Sequence, residues 1–150
     1  MKYFAVLGAC ALFLAGAGAA SAEQWVDYAP QKGVWSVTTV KVDPNKIDDS
    51  LVGLKAGWVP GEELAKKHGD IDNYFVMVKV NAADGQGNVL LGEHYVSFAK
   101  FDPDKRHDQM MQKEMEAIVS KEKSNAAVEG YNKYRTFVGN DMWVSMDFTK

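Results

Sequence analysis

Apolar positions recur along this chain with two different periods, and each change of period marks a new element. Val34 to Val42 (VWSVTTVKV) is rich in β-branched residues and bounded by Gly33 and Asp43-Pro44, which predicts a strand. Asp43-Pro44-Asn45-Lys46 stops that strand and starts a helix, because Asp caps and Pro suits a first helical turn. Leu51, Leu54, Lys55 and Trp58 then recur at helical spacing, and Pro60, which has no N–H to donate, interrupts the run. A second helical piece passes through Leu64, Ala65 and His68 and ends at Gly69. The segment 73–81 returns to a strand pattern, Asp84-Gly85-Gln86-Gly87-Asn88 supplies hairpin turn chemistry, and Val89 to Ala99 forms the returning strand. After Asp102-Pro103-Asp104-Lys105, Met111, Met115, Ile118 and Val119 share a helical face, with an interruption expected at Ser124-Asn125. Helical spacing resumes through Val128, Tyr131 and Tyr134 to about Arg135. Gly139-Asn140-Asp141 predicts a turn into a last strand, Met142 to Phe148, with Val138 in a short extended piece before it.

The order is strand, helix, strand, strand, helix, strand. Val42-Asp43-Pro44-Asn45-Lys46 and Phe101-Asp102-Pro103-Asp104-Lys105 repeat one pattern, each where a strand hands over to a helix. Two such βαβ halves with right-handed connections predict an α+β, ferredoxin-like βαββαβ fold with a four-stranded antiparallel sheet. Both helical layers then lie on one side, and a wet opposite face should alternate cleanly between polar and apolar. These strands do not: Phe75 and Met77 back Tyr74, Val76 and Val78, while Trp143 backs Met142, Val144 and Met146. An uncovered face of that kind would be a large apolar patch, so a second copy of the chain is the expected cover.

Ahead of the domain, Met1 and Lys2 precede an uncharged run that closes in Ala20-Ser21-Ala22, the three parts of a secretory signal peptide. Residues 1–22 are expected to be removed, although the run approaches the length of a membrane anchor. Residues 23–33 read as an irregular arm and 34–150 as the domain. The single lysine of the short signal points to a bacterial export route, hence a periplasmic or secreted protein without stable membrane insertion. Cys10 is the sole cysteine and falls within the signal; an apolar stretch following it is the wrong order for a lipoprotein box. The mature chain therefore has no thiols and no disulfide framework. Of the 150 residues 47% are hydrophobic and 25% charged, which suits one globular domain. The net charge of −3, one unit more acidic once Lys2 is gone, excludes bulk attraction to nucleic acid.

The run Gly53-Leu54-Lys55-Ala56-Gly57-Trp58-Val59-Pro60, continued by Glu63-Leu64-Ala65-Lys66-Lys67-His68-Gly69, resembles the first-helix pattern of uncharacterised members of the dimeric α/β-barrel superfamily. The resemblance spans about Val34 to Phe148 and implies a homodimer whose sheets pair face to face. Members include quinol-type monooxygenases, haem-degrading enzymes, polyketide cyclases and lactone isomerases, so the fold does not select an activity.

Among residues able to carry chemistry, His94 stands mid-strand on the face of Leu90 and is the candidate base, with Tyr74 or Tyr95 as hydrogen-bond donor. A hydrogen-bonded core or interface histidine is the competing reading. His68 reads as part of a helix end and His107 as part of a solvated first turn. Trp35, Trp58, Phe75, Met77 and Trp143 are candidates to line a site for a flat apolar molecule, or else to form core and dimer interface. No histidine pair has ligand spacing and no cysteine survives, so no metal site is expected and no cofactor is assigned. Nucleophile elbows, phosphate-binding glycine loops and dinucleotide fingerprints are missing from the sequence. Three functions remain: an exported small-ligand-binding dimer, a cofactor-independent monooxygenase, isomerase or cyclase, and a structural envelope protein without ligand.

Overall fold

The β-branched run Val34–Val42 forms the central strand β2 of a computed structural model that describes residues 21–81 and 85–148. The residues read as the signal peptide lie almost wholly outside the described residues, as does part of the β-hairpin tip. Strand β1 (Tyr28–Pro30) precedes β2, and helices α1 (Ile47–Gly57) and α2 (Val59–Lys67) follow it. The hairpin β3 (Ile71–Val78) and β4 (Val89–Tyr95) comes next, then α3 (Lys105–Ile118), α4 (Lys121–Asn132), β5 (Arg135–Trp143) and β6 (Met146–Phe148). Four strands form one sheet in the order β3-β4-β2-β5, with every neighbouring pair antiparallel. This is the ferredoxin-like βαββαβ arrangement.

The two Asp-Pro hand-overs work by capping. The Asp43 carboxylate accepts from Asn45 N at 2.9 Å, in a short 3-10 turn that leads into α1. Asp104 accepts from the N–H groups of Arg106 and His107 at 3.0 and 3.1 Å and so starts α3. Pro60 falls in the first turn of α2, where its missing N–H costs nothing. The second helical run breaks at Val119–Ser120, earlier than the expected Ser124-Asn125, because Ser120 caps α4 by accepting from Lys123 N.

The last strand differs from its sequence expectation. Gly139, Asn140 and Asp141 lie inside β5 instead of turning the chain. Asn140 Nδ2 donates to Ser36 Oγ at 3.0 Å and Thr38 Oγ1 at 2.9 Å, so a turn-type residue is held in the sheet by its neighbours on β2. A bulge between Thr39 and Val40 accommodates Val138. The alternation from Met142 to Phe148 breaks at Val144-Ser145, and β6 then pairs with β1 as a separate two-stranded ribbon. The arm 23–33, expected to be irregular, therefore contributes a strand. Likewise β4 stops at Tyr95 rather than Ala99, where the chain enters a 3-10 turn at Phe98–Phe101.

Strand register sorts the side chains into two faces. On the helix side Val40, Val42, Val89 and Leu91 pack with Leu54 of α1, and Ile47, Leu51, Trp58 and Val76 border this core. Helix α4 reaches it through Tyr131, whose ring lies flat against α1 over Gly53 and Gly57. A Cβ at Gly53 would sit 2.6 Å from Tyr131 Cδ1. Gly to Ala inside a helix ordinarily stabilises by about 1 kcal/mol, whereas overpacking here costs about 1–3 kcal/mol. Gly53→Ala is therefore expected to lose about 1 kcal/mol net, measured by urea unfolding; a gain would mean that Tyr131 moves aside freely.

Candidate functional site

The helix side of the sheet changes character along the strands. At one end the core residues form a dry layer beneath α1. Toward the other end, cross-strand rows carry polar groups: Thr38 lies between Leu91 and Asn140, and Glu93 between Ser36 and Tyr74. Where the two regions meet, a cleft of about 340 Å³ opens between sheet and helices. Thr38, Val40, Leu91 and Phe137 floor it, Leu54, Trp58 and Tyr131 cover it, and Asn132 at the end of α4 and Arg135 at the start of β5 stand beside it.

Two features, one in this cleft and one outside its lining, bear on chemistry. The Arg135 guanidinium lies 4.0 Å from the centre of the Tyr131 ring, and its Nε donates to Asn132 Oδ1 at 2.8 Å. Tyr131 is itself fixed by α1, so the cation has a rigid seat. One helical turn beyond Trp58, Glu62 reaches a half-buried position near Glu93. Burial pushes its carboxyl up to about 8, with the Glu93 charge adding to the shift. Glu93 accepts from Tyr95 Oη at 2.9 Å, and burial followed by the Glu93 charge pushes the Tyr95 phenol above its ordinary range.

The residues singled out in the sequence divide between the faces. Trp58 lines the cleft, and its ring meets Tyr74 edge-on at 5.5 Å; Tyr74 Oη donates to Glu63 Oε1 at 2.6 Å. Tyr95 also lies on the helix side, against Phe101. Trp35, Phe75 and His94 are together on the opposite, open face, with Trp35 centred 5.2 Å from Phe75 and 4.9 Å from His94. His94 Nδ1 lies 2.6 Å from Asp72 Oδ1, where an Nδ1–H donates to the carboxylate. Met77 and Trp143 share that face, and both are more than half exposed. The sheet thus separates His94 from Tyr74 and Tyr95.

His68 and His107 stand at the α2–α3 junction. Their Nε2 atoms contact Glu114 Oε2 at 3.1 Å and Asp70 Oδ2 at 2.8 Å. Among the described residues no group of three His, Cys, Asp or Glu side chains is placed to hold a metal ion. No helix among them is long and apolar enough to cross a membrane.

Sequence reading missed Thr38, Tyr131, Arg135, Phe137 and Glu62. The spacing of four between Tyr131 and Arg135 was a usable signal for a stacked pair, but the helix ends between them.

No protein-family model and no curated protein matches the chain. Among solved structures it is similar to a dimeric ferredoxin-like protein from an uncultured marine organism, at 8% identity and a TM-score of 0.45, over 80% of this chain and 91% of that one. It is also similar to a nipsnap family protein with unknown function from Agrobacterium tumefaciens, at 11% identity and a TM-score of 0.40, over 78% and 89%. A dimeric protein of unknown function with a ferredoxin-like fold from Bacteroides fragilis is 13% identical, with a TM-score of 0.38 over 80% and 99%.

Proposed function

We propose that this chain is an exported homodimer that binds a small apolar or aromatic molecule in the cleft between its sheet and helices. The observation that carries the reading is the cleft itself: an apolar floor and a tyrosine and tryptophan cover, with a few polar groups at one end. That is the usual make-up of a small-molecule site. Export rests on the signal-like run that ends at Ala22. Pairing rests on the open face, where Trp35, Phe75, Met77, Leu90 and Trp143 share one side of the sheet with no helix over them, and Met77 and Trp143 are more than half exposed.

Native mass spectrometry of the protein purified from the periplasm of a bacterium expressing it tests both parts. The expected result is a dimer with added small-molecule mass and an N-terminus at Glu23. A dimer without adduct on repeated preparation argues against a resident ligand, and a monomer overturns the face-pairing argument. Leu90→Glu would put a charge on the open face beside Met77 and Thr39. It is expected to raise the dimer dissociation constant at least about tenfold in sedimentation equilibrium, equivalent to about 1.4 kcal/mol. An unchanged constant would place the interface elsewhere.

The second reading, an enzyme, is favoured by the Asp72–His94 pair, in which the carboxylate orients the imidazole ring as it does beside a catalytic histidine. His94 lies outside the cleft, so this reading requires a substrate held at the open face. Turnover by the dimer that survives His94→Ala would remove it from the mechanism.

A further inference from the structure

Building on the cleft reading, we infer that the molecule bound there carries a carboxylate at one end, and that Arg135 is the residue that receives it. Three observations converge on this. Arg135 lines the cleft directly. Its guanidinium is held by stacking on Tyr131 and by the bond from Nε to Asn132, so its position is set before any ligand arrives. Among the described residues no Asp or Glu forms an ion pair with it, so no carboxylate among them occupies the terminal nitrogens.

The chemistry follows from the donor set. Arginine presents five N–H donors in a planar fork. One of them is used on Asn132 and the ring face is used on Tyr131, which leaves the two terminal nitrogens for an incoming acceptor. A planar carboxylate takes two parallel N–H bonds from such a fork. Behind Arg135 the lining turns apolar through Phe137, Val40, Leu91 and Leu54, which suits a ring system or short chain and gives an ionic group no partner at that end. With the cation at one end and the apolar lining at the other, the ligand's polarity is carboxylate toward Arg135 and hydrocarbon toward Leu54 and Leu91. The ligand class is therefore an apolar or aromatic monocarboxylate.

The test uses the mature dimer and a matched pair of probes, 2-naphthoate and 2-naphthamide, titrated by calorimetry with quenching of Trp58 fluorescence as a second signal. The expected result is that naphthoate binds at least tenfold more tightly than the amide. Arg135→Gln should remove that preference by weakening naphthoate binding at least tenfold and amide binding far less, and Arg135→Lys should restore part of it. Melting curves of both variants establish that they remain folded. If the two probes bind alike and Arg135→Gln alters neither, the carboxylate inference fails while the cleft reading stands. If neither probe binds or quenches Trp58, the cleft reading fails and the inference with it.

Discussion

Replacing Asn88 with alanine is expected to cost about 3 kcal/mol of stability, because it strands two buried backbone groups at the end of the central strand. Strand β4 begins at Val89, so beyond Val40 the strand β2 has no backbone partner on that side. Asn88 supplies one with its side chain: Oδ1 accepts from Val42 N at 2.7 Å, and Nδ2 donates to Val42 O at 2.8 Å. Its own backbone completes the seam, N–H to Val40 O at 3.0 Å and carbonyl from Lys79 N at 2.8 Å. Val42 is 1% exposed and Asn88 7%, so water has little access to the groups that alanine would leave behind. Asn88→Asp should not rescue the loss, since a carboxylate accepts from Val42 N–H but faces Val42 C=O without a proton to donate. For a domain of this size the shift corresponds to roughly 10 °C in Tm. Urea unfolding of both variants measures it, and a loss below about 1 kcal/mol would show that water replaces the amide.

What could be read from the chain ahead of its structure depended on whether local signals and tertiary contacts agreed. Strand β2 was legible to the residue, since its β-branched run is closed at both ends by Gly33 and Asp43-Pro44 and serves a two-sided central position. The capping aspartates and Pro60 were legible because capping is a local interaction. Strand β5 was not. Gly139-Asn140-Asp141 has the composition of a turn, and only the hydroxyls of Ser36 and Thr38, more than 100 residues earlier, hold Asn140 in a strand. The open apolar face was foreseen because failed alternation is visible in sequence, whereas the pairing of His94 with Tyr74 or Tyr95 fails on the same alternation, which places His94 on one face and both tyrosines on the other. Of the cleft's lining, Trp58 was foreseen as one of five aromatic and methionine candidates, and the rest was not. Thr38, Leu91, Tyr131 and Arg135 come from four segments that only the strand order β4-β2-β5 and the packing of α4 on α1 bring together. Glu62 was invisible for another reason: Glu62-Glu63 after Pro60 reads as the solvated first turn of a helix, and burial alone distinguishes the first glutamate from the second.

That burial makes Glu62→Gln a stabilising change whose size grows with pH. A carboxyl pushed up to about 8 in the folded protein stays protonated there through the range in which the unfolded chain has already lost the proton. Between the ordinary carboxylate range and pH 8 the folded state therefore binds more protons than the unfolded one, and linkage requires stability to fall as pH rises across that window. Below it both states are protonated and nothing is lost; above it the full cost of holding a charged Glu62 beside Glu93 is present. Because the group retains some contact with water, the cost is discounted for screening to about 2 kcal/mol. Glutamine keeps the shape of the protonated acid without the titration. Glu62→Gln should thus match the parent protein near pH 4 and exceed it by about 2 kcal/mol at pH 9, with the stability difference opening steadily from the ordinary carboxylate range up to about pH 8. Equal slopes of stability against pH for the two proteins would show that Glu62 is ionised in the fold at neutral pH, and would place the boundary between the dry cleft and the charged end of the sheet on the far side of that residue.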